Sequence, residues 1–464
     1  MPKSALLRMS RFALLFCAAA AVGQTTFTSL ASLIHVSGGQ PYAMSLVQGL
    51  DGNFYGTTNN NGAHGWGTVF KVTPAGKITT IYSFCALPGC TDGSSPEAGL
   101  VLGIDGNLYG TTYNGGANLD GTFFKITPGG TLTTVRSFAR ADGEEFSGGL
   151  VQGTDGNFYG TTIVGGNSGA GTVFKITPTG NLTSIHDFHN DGGPENPFGG
   201  LVQGVDGNFY GTTYYGGSGS WGTVFKITPA GILTTLHNFD STDGGGPIGK
   251  LVQASNGNFY GTTRLGGASS AGTVFEITPG GTLTTLHNFC AQISCTDGGY
   301  PVAGLVQGTD GNFYGATSSI GIDNFGTIFE ITGGGTLTTL HAFDVTDGAS
   351  PAGALLQSTN GNFFGTTEYG GSEDIGTVFE ISVGLRPFVT TLPTSAAAGT
   401  MVTILGNNLA KTTSVSFNGT AAVFTVVSSS EVTATVPAGA TSGRVTLTMP
   451  KGTLKSNVEF RVTP

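Results

Sequence analysis

Charge is scarce in this chain: only 10% of its 464 residues are Asp, Glu, Lys or Arg, tryptophan occurs twice and cysteine five times. No long run shows the 3.6-residue apolar period of a helix, which excludes a helical bundle or an α/β fold. The 80 glycines follow no collagen period, so they mark turns between short strands rather than a fibre. The apolar stretch Phe12 to Val22 is too short to span a bilayer comfortably. It follows Lys3, Arg8 and Arg11 and ends in small residues at Gly23, the layout of a secretory signal peptide over residues 1–23. Without that segment 15 basic side chains face 28 acidic ones, a balance that disfavours nucleic acid as a partner.

Four cysteines remain after the signal, in two matching insertions, FCALPGCTDG and FCAQISCTDG. In an exported chain this symmetry predicts two loop disulfides, Cys85 with Cys90 and Cys290 with Cys295. Neither pair has histidine neighbours, so no zinc site is expected.

What the chain has in abundance is a repeat. L-V-Q-G-x-D-G-N-F-Y-G-T-T recurs with its turn residue at Asp51, Asp105, Asp155, Asp206, Asn256, Asp310 and Asn360, a period of about 50 residues typical of propeller blades. The third copy divides into four strands, Leu150 to Thr154, Asn157 to Thr162, Thr172 to Thr177 and Leu182 to Phe188. Asp155-Gly156 fits a two-residue type I′ turn, and the interchange of Asp with Asn at that slot argues for structure rather than catalysis or calcium binding. The seventh copy ends at Ser382 without an outer strand. Ser32 to Val36 matches the missing piece, aligned on Thr235 to Phe239, and predicts closure of an all-β, seven-bladed β-propeller of four-stranded blades over residues 28–384.

The pattern changes after Leu385 to GTMVTILGNNL, VSFNGTAAVF and VTATVPAGATSGRVTLTM. These strands, with Asn418-Gly419 at a hairpin, resemble the IPT/TIG family over residues 386–464, implying a small immunoglobulin-like β-sandwich. The repeats themselves, D-G-N-x-Y-G-T-T, G-T-V-F-K-I-T-P and L-T-T-L-H-x-F, resemble the tandem GloVer repeats of bacterial exported proteins. That resemblance implies export and a repeat fold but no reaction.

The regular D-G and P-x-G turns fall on one face of such a ring, and the variable loops and blade connectors on the other. The variable loops carry Trp66, Tyr113, Tyr214, Tyr215, Trp221, Arg264, Phe325 and Tyr369, candidate ligand contacts of the kind that suit sugar faces. Connector residues Asp92, Asp142, Asp191, Asp243, Asp297 and Asp347 read as Asx turns, with calcium a weaker reading. A slot on the outer strand reads His35, Tyr82, Arg136, His186, His237, His287 and His341, too mixed for catalysis. Lys71, Lys125, Lys175 and Lys226 give way to Glu276, Glu330 and Glu380 on the third strand, read as solvated faces. The inner slot holds Gln48, Leu102, Gln152, Gln203, Gln253, Gln307 and Gln357, an amide ring rather than a hydrolytic metal site, so no catalytic residue, metal or cofactor is assigned.

The expectation is an exported non-enzymatic binding or scaffold protein, secreted or on the cell surface with the periplasm left open, whose variable face contacts an extracellular glycan or envelope component. No membrane span is expected after signal removal. The alternative is a secreted propeller hydrolase or lyase acting on polysaccharide or lactone through Glu97, Glu144, Glu145 and Glu195.

Overall fold

Phe-Tyr-Gly-Thr-Thr and its variants, too rich in aromatic and β-branched residues to lie at a surface, are buried along their whole length in every copy. In the third copy this strand, Phe158–Thr162, pairs on one side with Thr172–Ile176 and on the other with the two-residue inner strand Val151–Gln152. Leu182–Asp187 adds the outer strand of an antiparallel sheet of four. In the computed structural model, which describes residues 25–463 apart from Ala43, Ser147 and Ile322, seven such sheets follow one another along the repeats. The expected signal peptide lies outside the described residues. Among the described residues helix is confined to short 3₁₀ turns, and no helix is long and apolar enough to cross a membrane.

The D-G turn differs from expectation. A type I′ turn needs positive φ at both central residues, but only Gly156 has it, at 80°. Gly156 N donates to Gly153 O at 2.9 Å and Gly153 N to Asn157 O at 2.8 Å, which makes a three-residue loop closed by a left-handed glycine. Asp155 is there as an acceptor: its Oδ2 takes the Tyr159 hydroxyl at 2.8 Å and Asn157 Nδ2 at 2.8 Å. Burial opposes its ionisation, yet those hydrogen bonds and the charge of Lys175 hold Asp155 below the usual carboxylate range. Where Asn256 stands in the slot, Glu276 of the third strand accepts from the Tyr260 hydroxyl at 2.7 Å and from Asn258 at 2.6 Å instead. The change from Lys to Glu along the repeats thus serves the turn in these sheets.

Hydrophobic clusters lie between sheets. Tyr159, Val173 and Phe188 of the third sheet meet Leu201, Phe209 and Phe225 of the fourth, with the Tyr159 and Phe209 rings stacked at 4.0 Å. Each neighbouring pair has such a cluster, and Leu46, Phe54 and Phe70 of the first sheet meet Phe364 and Val378 of the seventh. The contacts therefore run as a cycle. Side-chain amides follow the same course: Gln203 Oε1 accepts from Thr154 N at 2.9 Å, Gln253 Oε1 from Val205 N at 2.9 Å, and Gln48 Oε1 from Thr359 N at 3.1 Å.

The N-terminal strand Thr26–Ser32 is the outer strand of the seventh sheet, antiparallel to Thr377–Ser382. The expected alignment on Ser32 to Val36 is displaced: Ser32 pairs with Thr377 as Asn238 pairs with Thr223, and Leu33 is fully buried where the other copies have Phe. The slot expected for His35 is taken by Ala31, opposite Val378, while His35 Nδ1 bonds Glu373 at 2.7 Å. Burial of Leu33 decides the register. The two expected disulfides join Cys85 to Cys90 and Cys290 to Cys295.

From Val389 the chain forms two further four-stranded sheets enclosing Val402, Ile404, Val415, Phe417, Val432, Val445 and Leu447. Here Asn418-Gly419 does form a hairpin with both φ positive, 44° and 88°, closing Phe417 onto Thr420.

Phe27 stacks on His341 of the sixth sheet at 3.6 Å and meets the edge of Phe343 at 5.6 Å, so it ties the N-terminal strand to a neighbouring sheet. Phe27→Ala should lower the free energy of unfolding by about 2 kcal/mol, less than a fully buried Phe because the ring is partly exposed. Urea denaturation would read this; an unchanged midpoint would show that the N-terminal strand does not hold the last sheet.

Candidate functional site

Within this one chain the seven copies agree closely along the strands and disagree at the connectors. Each connector reaches the inner strand through a tight bend, with positive φ at Gln40, Ser95, Glu145, Asn196, Gly246, Tyr300 and Ser350. The bends bring all seven connectors to one cavity of about 400 Å³ at the centre of the cycle, within the size range of small-molecule sites. Tyr42, Glu97, Glu145, Phe198, Lys250, Val302 and Ala352 each line it from a different sheet, and Tyr113 stands beside them.

The residue just before the inner strand lies where connectors press together. In chain order it is Ser45, Gly99, Gly149, Gly200, Lys250, Gly304 and Ala354. A Cβ on Gly200 would meet Gly149 O at 2.5 Å, and one on Gly304 would strike the backbone carbonyl of Lys250. That crowding accounts for Gly99, Gly200 and Gly304, whereas a Cβ on Gly149 would meet open space; six of the seven residues are small and the seventh is a lysine. Burial pulls the Lys250 ammonium down to about 8, and no nearby acid offsets it.

The acids lie on another side of the cavity. Burial, then the charge of Glu145, pushes Glu97 up, while Asn59 Nδ2 donates to Glu97 Oε1 at 2.9 Å and opposes the shift. Tyr113 is raised by burial and by its hydrogen bond to Glu145. Tyr42 is raised by burial and by the charge of Glu368, with Arg264 opposing. Glu368 is raised by burial. The cavity thus offers carboxylates, phenols and one ammonium among apolar ring faces, a surface able to hold a hydroxylated ligand by hydrogen bonds and stacking.

Of the aromatic and basic residues singled out from the sequence, the structure brings Tyr113 into this cavity and places Tyr214 and Arg264 within electrostatic reach of Tyr42. Tyr214 also leans on Phe198 at 5.2 Å and on Tyr215, which is 52% exposed, at 4.5 Å. Tyr369 is exposed and bonds Glu368. Trp66, Trp221 and Phe325 stand on loops of three separate sheets: Trp66 is exposed, Trp221 covers Gly245 beside a shallow surface depression, and Phe325 packs between the sixth and seventh sheets. Of the four candidate acids only Glu97 and Glu145 reach the cavity; Glu144 pairs with Arg140 at 3.0 Å, and Glu195 accepts from Gly192 N in its own connector. Sequence reasoning missed Lys250, Tyr42 and Phe198. The odd lysine among small residues was the available signal.

Five of the six connector aspartates are engaged by the outer-strand slot, and Asp191 accepts from Gly193 N at 3.0 Å instead. Tyr82, Arg136, His237, His287 and His341 bond Asp92, Asp142, Asp243, Asp297 and Asp347 respectively at 2.7–2.9 Å. Among the described residues no group of three His, Cys, Asp or Glu side chains could hold a metal ion.

The opposite end of the cycle is covered. Ser430 Oγ donates to Leu50 O at 2.7 Å, Asn407 Nδ2 to Thr359 Oγ1 at 2.8 Å, and Arg461 Nη1 to Val205 O at 2.8 Å. The C-terminal unit therefore spans turns of the first, seventh and fourth sheets.

The profile of the Gloeobacter/Verrucomicrobia repeat matches residues 15–204 and 189–379, and that of the IPT/TIG domain matches residues 387–462. No curated protein matches the sequence. Among solved structures, an extracellular domain described as that of a hybrid two component system of B. thetaiotaomicron superposes with TM-score 0.52 at 13% identity, covering 95% of this chain and 58% of that one. This chain spans little more than half its length. A fungal alcohol oxidase in complex with copper superposes with TM-score 0.53 at 13% identity, covering 96% of this chain and 100% of that one. These likenesses concern the fold alone.

With its ammonium near 8, Lys250 is roughly half unprotonated at pH 8, where an ordinary lysine is almost fully charged. Brief acetylation at pH 8 followed by peptide mass spectrometry should label Lys250 ahead of Lys77 and Lys451. Labelling of Lys250 no faster than these would refute the lowered value.

Proposed function

The chain belongs to the Gloeobacter/Verrucomicrobia repeat family, and from that premise we propose that it is an exported binding protein with a saccharide site in the axial cavity. In this reading the seven sheets are blades of a closed β-propeller over residues 28–384, the signal at residues 1–23 is removed, and the IPT/TIG-like domain at 386–464 caps one end. The molecule works outside the inner membrane or at the cell surface, and its ligand is an extracellular glycan or envelope saccharide. Tyr215, Trp66, Trp221 and Tyr369, all exposed, act further out, as contacts for a longer chain leaving the cavity.

The observation that carries this reading is where the copies differ. Strands that are nearly identical from sheet to sheet end in connectors whose unlike side chains, Tyr42, Glu97, Phe198 and Lys250, meet in one cavity. A fold under packing constraint alone has no reason to place unlike polar groups at a common centre. The extracellular setting of the sensor domain that shares the fold agrees with export.

A second reading, hydrolysis or lyase chemistry, draws support from Glu97 and Glu145, one raised partly by the charge of the other. In that case Glu97 is the proton donor and Glu145 the base.

Glycan-array binding of the mature chain decides between them and the field. Wild type should retain a saccharide, and Tyr113→Ala with Phe198→Ala should weaken it about 10-fold to 100-fold, while Trp66→Ala changes short ligands little. Binding that survives the cavity pair but is lost with Trp66→Ala and Trp221→Ala would move the site to the outer loops. Cleavage of the retained saccharide, abolished by Glu97→Gln, would establish the second reading.

A further inference from the structure

We infer that the axial cavity takes a sugar acid carrying a single negative charge, its carboxylate on the Lys250 ammonium and its hydroxyls on Glu97, Glu145 and Tyr113. This rests on the reading of the cavity as a saccharide site and specifies the class of saccharide.

Among the described residues Lys250 is the only lysine lining the cavity, and it occupies a position where the six other copies have Gly, Ser or Ala. Its side chain makes no hydrogen bond or ion pair among the described residues. Packing does not call for it, since the fold builds the same connector six times without it. A positive charge held in a partly enclosed cavity with no counter-charge is unfavourable unless a ligand supplies one. Burial alone depresses its ammonium, with no acid acting against the shift.

The acids sit well round the ring. Lys250 belongs to the fifth sheet, Glu97 to the connector of the second and Glu145 to that of the third. Glu97 is three steps from Lys250, the largest separation a cycle of seven allows, and Glu145 is two. A ligand spanning the cavity therefore meets a cation at one end and hydrogen-bond acceptors at the other. Carboxylates accept from sugar hydroxyls, and the Tyr113 phenol, itself bonded to Glu145, adds a second polar edge. Phe198 and Tyr42 supply ring faces between. The same acids repel a doubly charged phosphate or sulfate, and one lysine is a point charge rather than the bidentate fork that dianions favour. One carboxylate and several hydroxyls match both ends.

The test is titration calorimetry of the mature chain with galacturonate against galactose, and with short oligomers of each. Wild type should bind the acid about tenfold more tightly than its neutral counterpart, the size of one charge-assisted hydrogen bond. Lys250→Ser and Lys250→Gly, which install residues the same position holds at Ser45 and Gly200, should bring that ratio below about twofold with unchanged thermal unfolding. A wild-type ratio near one, or a ratio that both variants preserve, overturns the inference while leaving a saccharide site in place. Failure of every one of these sugars to bind overturns the inference, and a glycan-array hit on a neutral saccharide alone would then separate its failure from that of the saccharide reading.

Discussion

The stacking of one sheet on the next is the interaction on which the rest of the molecule depends. Tyr210 lies on Phe259 at 3.9 Å, Tyr260 on Phe313 at 4.0 Å and Tyr314 on Phe363 at 4.1 Å, each ring from one sheet against the second strand of its neighbour. A pair of this kind contributes about 0.5–1.5 kcal/mol beyond its buried area. It recurs at every junction except that of the first and second sheets, where Tyr55 meets Leu108, and Phe364 on Phe54 at 4.2 Å closes the series. Within each sheet the glycine of the second strand has to stay glycine: a Cβ on Gly160 would meet the Phe174 ring at 2.6 Å.

Because the strands carry this constraint, variation is driven to their ends. One end is occupied by turns whose acceptors are already engaged, as Asp155 is by Tyr159 and Asn157, and by the C-terminal unit. At the other end the connectors have freedom only toward the centre, where their small residues let backbones touch. The one long side chain at that point, Lys250, lines the cavity.

Much of this was open to inspection in the residues themselves. The period, the four strands of each copy, the amide ring from Gln48 to Gln357, the disulfides and the second domain all rest on patterns within a few tens of residues. The D-G slot was recognisable as structural, but for the wrong reason: the Asp accepts a tyrosine hydroxyl, and in the fifth sheet Glu276 takes over from 20 residues away. The N-terminal strand was found in kind but displaced in register, because Leu33 replaces the Phe of the other copies and only its burial fixes the alignment. The aromatic loops drew attention first because tryptophan is rare, whereas rarity says nothing about which loops meet.

By itself the sequence determined the strand pattern, the repeat number and the change of domain, since alternation, turn chemistry and period are local properties of the chain. Tertiary structure alone decided which connectors converge. Glu97, Glu145 and Lys250 are separated by 48 and 105 residues in the chain, and they share a cavity only because stacked sheets bend the chain round a common centre. Local chemistry names the groups a repeat can carry; closure of the cycle of contacts settles which of them can act on one ligand.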